Sequence, residues 1–179
     1  MGQATQDLRK EHDIILHVLY ITDEIISTVT EDVKIMHFGN ELVYFLKTFG
    51  DKCHHGKEEN YLFKELEKQR ILNEGGPIGV MLQEHQEGRM YIDLMNKAVE
   101  AADTANFKIN ASNYSNLLHS HIEKENNILF VMADEILDDT KQDELFEKFE
   151  QHEENVIGHG VHEELHSMIH KWTEEFDLH

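Results

Sequence analysis

Apolar residues recur at intervals of three and four along most of the chain, which is the spacing of an amphipathic α-helix. In the first segment Leu8, Ile15, Leu19 and Ile26 follow this spacing, and His12 falls on the same stripe. The stripe therefore predicts a helix that carries His12 toward the interior of the protein. The same pattern predicts four further helices, over about 33–72, 78–102, 105–137 and 140–177.

Glycine and proline mark the boundaries between these helices. The stretch NEGGP contains Gly75 and Gly76, which suit the end of one helix, and Pro77, which suits the first turn of the next. Thr140 is predicted to cap the last helix, and Gly158 and Gly160 to break or kink it.

No stretch shows the alternation of a β-strand. The predicted fold is therefore all-α, an antiparallel up-down four-helix bundle of about residues 5–137 with an additional C-terminal helix. A chain of 179 residues fits one domain, 1–179.

Charge and composition exclude several classes of partner. The net charge of −20 argues against nucleic acid, whose phosphates would be repelled. No apolar run approaches the ~18 residues that a membrane-spanning helix needs. The single cysteine, Cys53, cannot form an internal disulfide, which suits a reducing compartment. We therefore expect a soluble cytoplasmic protein, either a monomer or a weak homodimer.

The histidines are sorted by an internal repeat. Seven of the fourteen have Glu four residues later, so one such pair is weak evidence of a site. However, HHGKEENYLF at 54–63 matches HIEKENNILF at 121–130 at six of ten positions. In this register His54 corresponds to His121, and Glu58 corresponds to Glu125. Residues four apart share a helix face, so each pair can bind one ion.

The repeat also separates two overlapping pairs on the first of these helices. His55 and Glu59 fall opposite Ile122 and Asn126, so the repeat does not preserve them. Adjacent residues diverge by about 100° around an α-helix. We therefore predict that His55 points away from the ligand face, and that Glu59 lies beside the ligands without binding an ion.

The other two helices of the predicted bundle each carry an inward-facing histidine. Glu11-His12 and Glu84-His85 have the same dipeptide, and a single histidine of this kind is more often a satisfied core residue. Four buried histidines and two buried glutamates together would be costly without a cation. Imidazole and carboxylate suit first-row metals, and this number of ligands suits two ions bridged by the glutamates. The predicted ligands are His12, His54, Glu58, His85, His121 and Glu125.

The order H, HxxxE, H, HxxxE resembles the hemerythrin-like HHE cation-binding family over residues 8–137. The resemblance implies a non-haem centre of two iron ions (Fe–O–Fe) held by these six residues, with Glu58 and Glu125 as the bridging carboxylates. Zinc or another divalent metal could substitute for iron in a recombinant sample.

Two departures from the oxygen-carrying members affect the expected function. Those members have a second histidine where this chain has Arg89, and an Asp five residues after its His where this chain has Glu125 at four. The first departure predicts an open coordination position. The expected function is binding of O2 or NO for sensing, scavenging or storage. The alternatives are a di-iron enzyme acting on peroxide, nitric oxide or ferrous iron, and a metal-storage protein.

Several other residues have two readings. His162 to His166 spells HExxH, a zinc-protease motif, although the predicted absence of strands argues against a protease. His162 is alternatively an extra ligand of the bundle centre, or a solvated side chain. Tyr61 and Tyr114 are predicted either to donate hydrogen bonds to the ligands or to pack in the core. Arg89 is predicted either to stabilise an anionic ligand or to pair with a carboxylate. A ferritin-like site is disfavoured because its repeated ExxH motif is not found twice.

Overall fold

The computed structural model describes residues 2–158 and 160–178, which form helices joined by short turns and contain no β-strand. The prediction of an all-α protein is confirmed for this part of the chain. The α-helices are α1 Gln3–Thr28, α2 Asp32–Phe45, α3 Phe63–Lys68, α4 Pro77–Glu100, α5 Thr104–Lys124, α6 Phe130–Ile136, α7 Asp139–Val156 and α8 Val161–Glu175. Three π-helical stretches, with wider turns, lie between them: π1 Leu46–His55, π2 Glu58–Leu62 and π3 Glu125–Leu129.

The π-helical stretches continue the helices on either side of them. Backbone angles remain right-handed helical at the junctions, as at Leu46 (φ −64°, ψ −40°) and Gly56 (φ −62°, ψ −41°). Glu125 follows α5 with φ −66° and ψ −51°. Residues 32–68 and 104–136 are therefore two long helical segments, which with α1 and α4 make four.

The helical segment 32–68 ends at Lys68, before the boundary predicted near residue 72. Arg70 adopts the left-handed conformation with φ 69°, and the Ile71 N–H returns to the Leu66 carbonyl at 3.1 Å. This closure satisfies the helix end. The boundary is thus set by a hydrogen-bonded turn and not by Gly75 and Gly76. Pro77 begins α4, as predicted.

The C-terminal part of the chain forms two helices where one broken or kinked helix was predicted. The Asp138 side chain caps α7 by accepting from the Lys141 N–H at 2.8 Å, whereas Thr140 lies inside the first turn. α7 ends at Val156 and α8 begins at Val161. Gly158 (φ 83°) and Gly160 (φ 90°) supply left-handed conformations between them, as their predicted role requires. His159 lies outside the described residues.

The buried apolar side chains form two clusters. The first apolar cluster includes Ile15, Phe49 and Trp172, and the second includes Leu8 and Phe63. α1 and α4 enter the second cluster before the first, whereas residues 32–68 and 104–136 enter the first before the second. The predicted ligands lie between the clusters on each of the four segments.

The last two helices cover these clusters from outside. α8 packs Trp172, which is fully buried, against the first cluster, and the Trp172 indole N–H donates to Glu41 at 2.8 Å. α7 packs Phe149 into the second cluster. Within the described residues, every helix is too short or too polar to cross a membrane.

Candidate metal centre

The layer between the apolar clusters contains seven buried side chains of the kinds that bind metal ions. Each exposes 3% or less of its surface to solvent. Six are the predicted ligands, and the seventh is a histidine that the repeat had assigned to the outside. The seven are His12, His54, His55, Glu58, His85, His121 and Glu125.

These side chains form two groups that share Glu58. One group is His12, His54, Glu58 and Glu125, and the other is His55, Glu58, His85 and His121. In each group the candidate ligand atoms all lie within 4.8 Å of one another. Ligands on opposite sides of a first-row ion are about 4.2 Å apart, so each group has the size of one coordination sphere.

The glutamates stand between the two groups. The two Glu58 oxygens face different histidines, with Oε1 3.6 Å from His54 Nε2 and Oε2 3.4 Å from His85 Nε2. Glu125 Oε2 lies 3.2 Å from His12 Nε2 and 3.2 Å from His121 Nε2, so it also contacts a histidine of each group. This is the arrangement that carboxylates bridging two ions would have.

Many of these polar atoms have no hydrogen-bond partner. Both oxygens of Glu58, both oxygens of Glu125, both ring nitrogens of His55 and Nε2 of His12 are buried and make no hydrogen bond within the protein. Their charged neighbours are close without hydrogen-bond geometry, as at 3.2 Å between Glu125 Oε2 and His12 Nε2 and at 3.6 Å between His55 Nδ1 and Asp51 Oδ1. An unsatisfied buried polar group costs about 1–3 kcal/mol, and more if it is charged. Seven such atoms in one layer indicate that a bound cation completes the structure. The donor set therefore fits two metal ions.

Burial holds most of the imidazoles neutral, which is the form that binds metal. Burial lowers the pKa of His54 well below its usual value, and the nearby ring of His12 adds to the effect. Burial also lowers the pKa of His55 to about 3, with His85 as the next contribution. The pKa of His85 is lowered for the same reason.

The glutamates show how strongly this layer attracts positive charge. Burial raises the pKa of Glu58 well above its usual range, and the nearby charge of Glu125 raises it further. Burial works against charge on His121 too, but the Glu125 carboxylate outweighs it and raises the pKa of His121 to about 9. Glu125 thus draws a proton onto a neighbouring ring at neutral pH.

The Glu11 carboxylate and the Lys57 ammonium group support His54 on the Nδ1 side of its ring. Glu11 Oε2 lies 2.8 Å from His54 Nδ1, so Nδ1 donates to the carboxylate and Nε2 faces the centre. Lys57 donates to the other Glu11 oxygen at 2.6 Å and exposes only 1% of its surface. Lys57 also contacts Asp7 at 3.1 Å and Glu153 at 3.0 Å. This contact holds Glu11, and through it the ring, in place.

The second half of the repeat contains the same arrangement. Glu84 Oε2 lies 2.9 Å from His121 Nδ1, and Lys124 donates to the other Glu84 oxygen. Lys124 occupies the position of Lys57 in the repeat, and Glu84 directly precedes His85 as Glu11 directly precedes His12. The Glu-His dipeptides were visible in the sequence, but no role was predicted for their glutamates or for the two lysines. Their recurrence in both halves was the available signal.

The rings of His85 and His12 are supported by the residues that follow Glu58 and Glu125. His85 Nδ1 lies 2.7 Å from Glu59 Oε1, and His12 Nδ1 lies 2.9 Å from Asn126 Oδ1. The repeat aligns Glu59 with Asn126, so one half uses a carboxylate where the other uses an amide. The structure thus places Glu59 beside a ligand, where the sequence predicted it.

Arg89 pairs with two carboxylates at the edge of this layer. Its Nε donates to Asp51 at 2.7 Å and its Nη2 donates to Glu59 at 2.8 Å. Burial would raise the pKa of Glu59, but the hydrogen bonds from His85 and Arg89 outweigh it and lower that pKa. Of the two readings of Arg89, the geometry corresponds to pairing with a carboxylate.

Glu58 and Glu125 each begin a π-helical stretch. The Glu58 carbonyl accepts from the Phe63 N–H, and the Glu125 carbonyl accepts from the Phe130 N–H, five residues on in both cases. The Phe130 ring stacks on His12 with centroids 5.3 Å apart, and Phe63 stacks on His85 at 5.8 Å. The repeated LF of the sequence therefore covers the centre from the second apolar cluster.

The placement of His55 corrects the prediction that it points away from the ligands. Its ring stacks on His85 with centroids 3.8 Å apart, inside the second group. That prediction assumed a regular α-helix whose ligand face meets a single metal ion. In the structure His55 ends π1, where the turn is wider, and adjacent histidines can face two adjacent ions. The doubled histidine was the signal.

The other candidates lie outside the two groups. His162 contacts Glu153 and His166 between α7 and α8. Tyr114 is buried in the first apolar cluster, and the Tyr61 ring faces that of His152 at 5.5 Å. Both tyrosines therefore pack against rings or apolar groups, which was the second of their two predicted roles. Cys53 is fully buried.

A family model for the hemerythrin HHE cation-binding domain matches residues 3–133. Because the match covers well over half of the chain, the protein belongs to this family, and the resemblance seen in the sequence is confirmed. No curated protein and no solved structure matched the chain. Family membership and the two His/Glu groups together define a cation-binding helical protein.

Proposed function

We propose that the protein holds two iron ions between its apolar clusters and binds O2 or NO there, as a sensor, scavenger or store. The main support is the set of seven buried polar atoms in one layer that make no hydrogen bond within the protein. Glu58 and Glu125 bridge the ions, and five histidines provide the remaining protein ligands. Bound iron would supply an exchangeable electron and a coordination position for a diatomic molecule.

The chain's own residues orient the ligands and exclude water. Glu11, Glu59 and Glu84 each accept from an Nδ1 and so direct the opposite nitrogen inward. Phe63 and Phe130 cover the ligand rings. Every side chain proposed to bind iron exposes 3% or less of its surface. This enclosure favours a small exogenous molecule of two or three atoms.

His55 changes the number of imidazoles that are available to the second ion. Oxygen-carrying members of the family have an imidazole where this chain has Arg89, and its loss predicted an open position. Arg89 is engaged by Asp51 and Glu59, and His55 brings a third imidazole to the group of His85 and His121. We therefore infer that His55 takes the place of the missing ligand.

The proposal includes an antiparallel up-down course for the four long helical segments. The support is the alternating order in which successive segments enter the two apolar clusters. With this course, each half of the repeat contributes one histidine from its first helix and one HxxxE pair from its second helix to a common layer.

Anaerobic reconstitution with ferrous iron followed by gas addition tests the function. We expect the visible spectrum to change on addition of NO and of O2, because both ligands bind at the metal. Glu58→Ala should abolish both changes, while His119→Ala, a variant of an exposed histidine on α5, should preserve them. An iron-loaded protein whose spectrum responds to neither gas would overturn the proposal. Sustained consumption of NO or peroxide with an added reductant would assign the centre to an enzyme instead.

A further inference from the structure

Two histidines on the outer side of α8 have their metal-binding nitrogens facing each other. His162 and His166 are one helical turn apart, and their Nε2 atoms are separated by 3.0 Å. The His162 side chain exposes 40% of its surface and His166 is exposed. These residues belong to the HExxH motif, which the buried centre does not use.

The separation of these nitrogens matches that of two neighbouring ligands on one metal ion. Nitrogens bound about 2.05 Å from an ion are about 2.9 Å apart at a right angle and about 3.3 Å apart at a tetrahedral angle. The observed 3.0 Å lies between these values. The rings therefore need little rearrangement to bind an ion between them.

The surroundings of the pair favour a cation. A cavity of about 540 Å³ between α7 and α8 reaches His162, and Glu150, Glu153, Glu154 and Glu163 line it. Glu153 Oε1 lies 3.0 Å from His162 Nδ1, and its other oxygen accepts from Lys57. His162 Nδ1 has no hydrogen-bond partner, so this contact acts only by placing a negative charge beside the ring.

We propose that His162 and His166 form a second, surface site for a divalent first-row metal ion, separate from the buried centre. The two Nε2 atoms bind the ion, and water and a carboxylate lining the cavity complete its coordination. Imidazole ligands select ions such as Zn²⁺, Co²⁺ and Ni²⁺ over Mg²⁺ and Ca²⁺. The site is a place of capture and not a protease, since no strand accompanies it in residues 2–158 and 160–178.

Cobalt binding to the iron-loaded protein tests this site. Equilibrium dialysis against Co²⁺ should give one additional ion per chain, while the iron content remains constant. His162→Ala and His166→Gln should each weaken this binding at least about tenfold, because a single imidazole remains. His170→Ala is the matched control, since it removes an exposed histidine from the next turn of the same helix, and it should leave cobalt binding unchanged.

The outcomes separate this proposal from that for the buried centre. Cobalt binding that is absent, or equal in all four proteins, would overturn the surface site even if the iron centre is present. Loss of binding in His170→Ala would also contradict it. If the buried layer takes no iron, the same comparison on the protein as purified still tests α8, because both rings lie outside that layer.

Discussion

His55 is buried in the second group, where its ring stacks on that of His85 with centroids 3.8 Å apart. The repeat preserves His54 and Glu58 but sets His55 opposite Ile122, and one ion on a regular helix would leave His55 outside. In the structure His55 belongs to the second group, because its ring is buried beside His85 and neither of its nitrogens makes a hydrogen bond. The first group can be predicted from the repeat, whereas the second depends on a ligand that only one half possesses.

Replacing His55 by Gln should therefore lower the metal content and not leave it unchanged. The second group would retain two imidazoles and Glu58, so its ion should be bound at least about tenfold more weakly, since losing a ligand should cost no less than losing a residue that supports one. Elemental analysis after dialysis measures this, with His119→Gln as the control on an exposed histidine. Equal metal contents in the two variants would show that His55 only packs beside the centre.

The carboxylates behind the rings provide a second comparison at the scale of the residue. The substitutions Glu11→Gln and Glu84→Gln preserve the shape of the side chain but replace a carboxylate with an uncharged amide. The carboxylates accept hydrogen bonds from Nδ1 of His54 and His121. Each should weaken metal binding by about 10–100-fold, because each carboxylate orients one ring through its Nδ1 atom. Competition with a chelator of known affinity measures both. An effect in one variant alone would mean that the repeat is not functionally symmetric.

At the scale of helices, the sequence predicted most of the fold and missed its irregular parts. The spacing of apolar residues and the NEGGP stretch correctly indicated the main helices and the start of α4 at Pro77. The turn at Arg70 depends on a backbone hydrogen bond, and the cap at Asp138 depends on a bond from a backbone N–H to a side chain. The spacing of apolar residues reports neither. The π-helical stretches were missed for the same reason, because a wider turn alters the backbone and not the residue types.

Shortening π2 should show whether the wide turn positions the ligands. Asn60 is exposed and lies within π2, between Glu58 and the buried pair Leu62 and Phe63. Its deletion rotates the residues on either side by about 100° relative to each other. We expect loss of bound metal and a lower free energy of unfolding, with helix content by circular dichroism nearly unchanged.

The control is deletion of the exposed residue Glu74, in the turn between Lys68 and Pro77. That deletion shortens the chain by one residue without changing the register of a ligand helix. Metal retained after deletion of Asn60 would contradict a positioning role for π2.

For the whole molecule, the buried layer should make the stability of the metal-free protein depend on pH in two opposite ways. Burial keeps His55, His54 and His85 neutral when folded, so below about pH 6.5 the unfolded chain binds protons that the folded chain does not. Stability is lost from that point down toward pH 3, the folded pKa of His55. Glu58, whose pKa is raised, opposes part of this loss.

Above neutrality His121 has the opposite effect. Its pKa of about 9 when folded means that it contributes stability below about 6.5, which is lost as the pH rises through 9. We therefore expect the free energy of unfolding of the metal-free protein to be highest near pH 6–7. Urea titrations at pH 5, 6.5 and 9 measure this. A stability that increases steadily from pH 6.5 down to 5 would contradict it.

The proposed function depends on one buried layer that holds two ions. The most direct measurement is the iron content per chain after anaerobic reconstitution and desalting, made in a His162→Ala/His166→Gln background so that α8 does not contribute. We predict two irons per chain, and loss of both when Glu58 is replaced by Ala, because that carboxylate belongs to both groups. One iron or none in the protein with all seven ligands intact would contradict the account.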